Sequence, residues 1–142
     1  MFKTILLAVD VNHKGSLEKA MSAAVGVASG FKGKLHVLSV VPDFEMPVIS
    51  QYFPADFEKK ALQATKDELE AICKKQVPAA LLADSHVALG HVYEQIVKYA
   101  DKLKADLIIV GARNSDLKDY LVGSNASRIV SHAPQSVLVV RE

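Results

Sequence analysis

Five short apolar runs, each followed by a helix-like stretch or by the chain's end, constrain this sequence most. They are "TILLAVDV" (4–11), "LHVLSVV" (35–41), "ADSHVAL" (83–89), "DLIIVG" (106–111) and "SVLVVR" (136–141). Four are nearly continuous in Val, Ile and Leu, as strands covered on both faces require. The third alternates more, which suits an edge strand. Between them apolar residues recur every three or four positions. Leu17, Ala20, Met21, Ala24 and Ala28 make one such stripe, with Gly30 and Gly33 as its stops. Ala61, Leu62, Thr65, Leu69, Ile72 and Cys73 make a second, over a helix near 55–76. Val92, Ile96, Ala100 and Leu103 mark a third, begun after Gly90, and a fourth spans 124–131, closed before Pro134. A βαβαβαβαβ order implies a parallel sheet with helices on both faces.

The chain of 142 residues suits a single domain, 1–142, with a buried core. Half the residues are apolar, and 17 basic residues nearly balance 16 acidic ones. The net charge of +1 gives no electrostatic reason to expect nucleic acid or a membrane surface. Cys73 is the single cysteine, which excludes an internal disulfide and Cys-based zinc sites. Its place on the apolar stripe makes it a buried, inert thiol. No signal peptide or long apolar span opens the chain, so a cytoplasmic protein is expected. The irregular piece "PDFEMPVISQYFPAD" (42–56), with three prolines and three aromatics, is either a lid or a surface insertion.

Open parallel sheets bind ligands beyond the carboxyl ends of their strands, where the winding reverses. If the strand order is 3-2-1-4-5, that point lies between strands 1 and 4. Periodicity alone does not supply this order. Asp10 would then end strand 1 and Gly111 would end strand 4. Gly123-Ser124-Asn125 precedes or opens the fourth helix. A helix start offers unpaired N–H groups and partial positive charge, both suited to phosphate. Gly123 has no Cβ to block close approach, and Ser124 adds a hydroxyl. The same residues also make an ordinary turn with a serine cap, and on local chemistry alone that plainer reading is favoured.

The pieces "ILLAVD", "HVLSVVPD", "IIVGAR" and "LVGSNASRIVSHAPQSVLVVR" together resemble the universal stress protein family over essentially the whole chain. The wording "SDLKDYLVGSNAS" is most similar to its UspF/UspG branch. The resemblance implies a doubly wound α/β fold with a five-stranded parallel sheet in the order 3-2-1-4-5. It implies a stress-response protein that binds ATP or AMP, with or without Mg²⁺, through G-x2-G-x9-G-[S/T] after strand 4. Gly111 matches the first glycine, Asn114 replaces the second, and Gly123-Ser124 matches the last pair after eight spacer residues instead of nine. Asparagine tolerates left-handed backbone and its amide can donate to phosphate, so the departure weakens the loop without abolishing it. Arg113 stands beside it as a phosphate contact or a surface charge. By resemblance Asp10 lies near ribose or metal, and the backbone of Val41 meets the adenine edge. The resemblance also implies a homodimer through 136–141, an apolar edge that invites pairing.

Other chemistry is unsupported. No Walker A run exists, and "VDVNHKGS" after strand 1 carries a lone glycine. His13, His36, His86, His91 and His132 have no metal-ligand spacing. His36 and His86 fall in strands and read as structural, whereas His13 can face a ligand. Lys14 and Lys118 are phosphate contacts or, more plainly, solvated charges. No catalytic residue is assigned. The rival readings are a dimeric interaction module with a degenerate loop, and a slow ATPase.

Overall fold

A computed structural model describes residues 1–42, 57–112 and 124–141. The elements run β1 (Thr4–Val9), α1 (Lys14–Phe31), β2 (Lys34–Pro42), α2 (Phe57–Gln76), β3 (Leu82–Gly90), α3 (Val92–Lys102), β4 (Leu107–Gly111), α4 (Ser124–His132) and β5 (Ser136–Val140). All five strands are parallel, in the order β3-β2-β1-β4-β5. This is the doubly wound fold the alternating pattern and the family resemblance led us to expect. The alternating strand, β3, is indeed an edge.

Alternation of side chains along each strand builds two cores, one per face. Ile5 and Leu7 of β1, Val37 of β2 and Ile109 of β4 join Leu17, Met21 and Ala24 of α1 and Leu69 and Cys73 of α2. Leu6, Leu38 and Ile108 point the other way, onto Ile96 and Ala100 of α3 and Ala126 and Ile129 of α4. The five α1 residues expected on its apolar stripe are its buried residues. Full burial of each such Leu or Ile contributes roughly 1.5–3 kcal/mol.

Most boundaries shift by a residue or two, and two of the shifts have a clear physical cause. β1 stops at Val9, not 11, because the Asp10 carboxylate accepts the Asn12 N–H (2.9 Å) and its carbonyl accepts that of His13 (3.0 Å). That turn still buries Val11, so an apolar residue there signals core without signalling strand. α1 runs through Gly30 and stops at Lys32, which takes the left-handed conformation (φ 55°). Gly33 N–H then bonds the Ala28 carbonyl at 2.9 Å, closing a Schellman-type end.

Gly33 is needed for another reason. A Cβ there would run into the Phe2 carbonyl oxygen and lie 3.2 Å from that of Lys3, both rigid backbone. Gly26 sits inside α1 with nothing within 4 Å of an added Cβ. The two sites should therefore respond with opposite sign. Gly33→Ala is expected to cost about 1–3 kcal/mol through overpacking. Gly26→Ala is expected to stabilise by about 0.5–1 kcal/mol through helix entropy. Urea unfolding midpoints of the two variants check both.

Candidate functional site

β1 leads into α1 on one face, and β4 leads towards α4 on the other. The two strands are hydrogen-bonded neighbours, paired from Ile5↔Leu107 to Ala8↔Val110. Their carboxyl ends thus form the point where the winding reverses, and ligand-binding crevices in such sheets open there. The first turns of α1 and α4 lie at that same end, because each helix returns antiparallel to the strand before it.

Asp10 follows β1 directly. Besides the turn bonds above, its Oδ2 stands 3.3 Å from His13 Nδ1, and both side chains are a little under half exposed. His13, expected to be able to face a ligand, is therefore engaged with Asp10 in the same turn. α1 starts with no side-chain cap on its N–H groups and no acidic residue in its first turn. α4 also carries no acid in its first turn, and Ser124 and Asn125, which open it, are both exposed. Neither first turn supplies an acid of its own to offset the partial positive charge of a helix start.

Gly111 ends β4, paired with Val140 of β5. A Cβ on Gly111 would come 2.9 Å from Ser16 Oγ. The first turn of α1 thus packs directly on the end of β4, and Ser16 belongs to the site. Sequence reasoning missed it because residues 16 and 111 meet only through the sheet.

Val41 lies on β2 opposite Leu89. The β1–β2 ladder ends at Val9↔Ser39, while β2 continues to Pro42 against β3. The backbone around Val41 therefore overhangs β1 at the crevice, with no ladder partner on that side among the described residues. Such a main-chain edge can hydrogen-bond a heterocycle whatever the side chain. Asp10, Val41, Gly111, Ser124 and Asn125 all sit at the carboxyl end of the sheet. Arg113, Asn114, Gly123 and Lys118 lie outside the described residues, as do 43–56 of the suspected lid.

Cys73 is not part of this crevice. It is 1% exposed in the core beneath α2. Burial, with the Glu70 carboxylate nearby, pushes its thiol up to about 11, so it stays protonated and inert.

The sequence model of the universal stress protein family matches residues 1–141. The chain is 32% identical to universal stress protein G of Escherichia coli O157:H7 over 144 aligned positions, covering 99% of this chain and 100% of that one. Its structure is similar to that of universal stress protein UspA from Lactobacillus plantarum, with TM-score 0.77, 26% identity and coverage of 99% and 98% of the two chains. A universal stress protein solved in complex with cAMP shares the fold, with TM-score 0.60, 23% identity and coverage of 98% and 96%. With the whole chain matched, this protein belongs to the universal stress protein family.

Proposed function

We propose that this protein binds an adenine nucleotide, ATP or AMP, where β1 and β4 end side by side, and acts in the cytoplasmic stress response through that occupancy. The observation that carries the reading is the convergence at one end of the sheet. Two helix starts without acidic first-turn residues, a glycine strand end and a β2 backbone edge with no ladder partner towards β1 among the described residues all meet there. That set matches the parts of a nucleotide: phosphates at helix N-termini, adenine on a main-chain edge, and ribose hydroxyls or Mg²⁺ at Asp10. A member of the same family in complex with cAMP supports adenine nucleotides as the ligand class.

In this reading Ser124 and Asn125 hold phosphate at the start of α4, assisted by Gly111, Arg113, Asn114 and Gly123. Val41 offers its backbone to the base. The nucleotide supplies charge that the two helix starts neutralise, and no residue is assigned to its hydrolysis. Occupancy then biases the chain between Gly111 and Ser124, and so alters what that end of the molecule contacts. The second proposed feature is a homodimer through β5. The reading that competes is a dimeric module without nucleotide, favoured by Asn114 in place of glycine and the eight-residue spacer.

Titration calorimetry with ATP and AMP separates the two. Saturable heat at micromolar to millimolar nucleotide is expected. Absence of heat with both nucleotides, with and without Mg²⁺, leaves the dimeric module as the reading.

A further inference from the structure

His36 on β2 and His86 on β3 are 50 residues apart in the chain, yet His36 Nδ1 lies 3.0 Å from His86 Nε2. The parallel register places His36 opposite Asp84 and His86 opposite Leu38, so the two imidazoles stand diagonally on one face. Their ring centroids are 5.2 Å apart and their planes 27° apart. The centroid separation exceeds the nitrogen separation by about one ring width. The two nitrogens therefore lie on the line between the rings, in an edge-to-edge N–H···N bond instead of a face-to-face stack.

We propose that the His36–His86 pair is a proton-controlled clasp between β2 and the edge strand β3, closed while the pair holds at most one positive charge and opened when both rings are protonated. The chemistry follows from the donor inventory of imidazole. In the neutral pair one ring donates its N–H to the lone pair of the other. One added proton keeps that bond and gives it a charged partner. A second proton removes the last lone pair between the rings, and two donors then face each other.

The surroundings oppose that second proton. β1 presents apolar Leu6 beside His36. α3 presents Tyr99, whose ring is 5.5 Å from that of His86, and Lys102, whose ammonium sits 5.4 Å over the Tyr99 ring. On β2, Lys34 is turned away to the Ala80 carbonyl. On β3, Asp84 is the carboxylate acting on the pair among the described residues, and it favours protonation. Burial outweighs Asp84 at both rings, and at His86 the charges of His36 and Lys102 add to it, so both groups are held below their ordinary value of 6.5. A depressed folded value means that the stability is fully present above the unfolded value, near 6.5, and is lost as pH falls through the folded values.

A bridging metal fits poorly. The two lone-pair sites point at each other along one line, and no group of three ligating side chains exists among the described residues. His36 lies near the amino end of β2 and His86 at the middle of β3, with β2 between β3 and the β1–β4 crevice, so this inference stands apart from nucleotide binding.

The test is an NMR titration of the imidazole nitrogens of the wild-type protein from pH 8 to 5, together with urea unfolding at pH 7.5 and 5.0. Two coupled steps below 6.5 are expected, with inequivalent donor and acceptor nitrogens at pH 7.5. Each pKa unit of depression lowers the folding constant tenfold at acid pH. His86→Gln, which can hydrogen-bond but not titrate, is expected to lose less stability between pH 7.5 and 5.0 than wild type. Independent titration of both rings at 6.5, or an unchanged acid loss in His86→Gln, would overturn the clasp. If His86→Gln does not fold, the wild-type titration decides alone.

Discussion

Ser124→Asp is expected to weaken ATP binding by roughly tenfold to a hundredfold, about 1.4–2.7 kcal/mol, while leaving the fold as stable as before or slightly more so. The two effects have opposite signs for one reason. Ser124 is exposed at the first position of α4, and that turn contains no acidic residue. A carboxylate in the first turn complements the helix dipole, worth about 0.3–1 kcal/mol. The same carboxylate stands where phosphate is proposed to lie and repels it. A serine with only a structural role at the helix start would show the gain in stability with no change in nucleotide affinity. Calorimetric titration and thermal unfolding of the one variant read both quantities. Equal ATP affinity in Ser124→Asp and wild type would remove α4 from the site.

If the proposed β5 dimer forms, Leu138→Lys is expected to convert it to a monomer, halving the mass in light scattering at micromolar concentration. Among the described residues β5 is an edge strand paired only with β4, the kind of edge that invites pairing with another chain. Leu138 in its middle is 36% exposed, a large apolar side chain left partly to solvent. A lysine there can snorkel its ammonium to water, so the protomer fold should lose little. Charges brought together across a two-fold axis would oppose pairing, as edge lysines do in other sheets. A wild-type protein that is already monomeric at that concentration would contradict the proposed dimer.

The fold was largely readable from the sequence because its strongest signals are periodic and local. Doubly covered strands need unbroken apolar runs, as "LIIV" in β4 shows. The edge strand β3 betrays itself by admitting Asp84, Ser85 and His86. Where reading by pattern fell short, tertiary contacts were responsible. Gly30 looked like a stop for α1, yet the helix runs through it and the chain turns at Lys32 and Gly33. What demands glycine at 33 is the approach of Phe2 and Lys3, thirty positions away along the chain. Val11 looked like strand because it is apolar, and its burial comes from a turn that Asp10 and Asn12 fold over the core.

The geometry of the candidate site was legible in part, for a similar reason. Asp10 and Gly111 end apolar runs and so could be placed at strand ends from sequence. Their adjacency required the strand order, which came from family resemblance, and β1–β4 pairing now supports it. The overhang of β2 beyond β1 depends on register, which no single-strand pattern encodes. Ser16 against Gly111 and His36 against His86 are pairings across the sheet, invisible to spacing along the chain.

Titrating isotope-labelled protein with ATP and following its backbone amide signals probes the proposed nucleotide site residue by residue. Saturable shifts are expected at Asp10, Ser16, Val41, Gly111, Ser124 and Asn125, with α2 and the amino ends of the strands unmoved. No shifts at millimolar ATP, or shifts centred on α2 and β3, would contradict it.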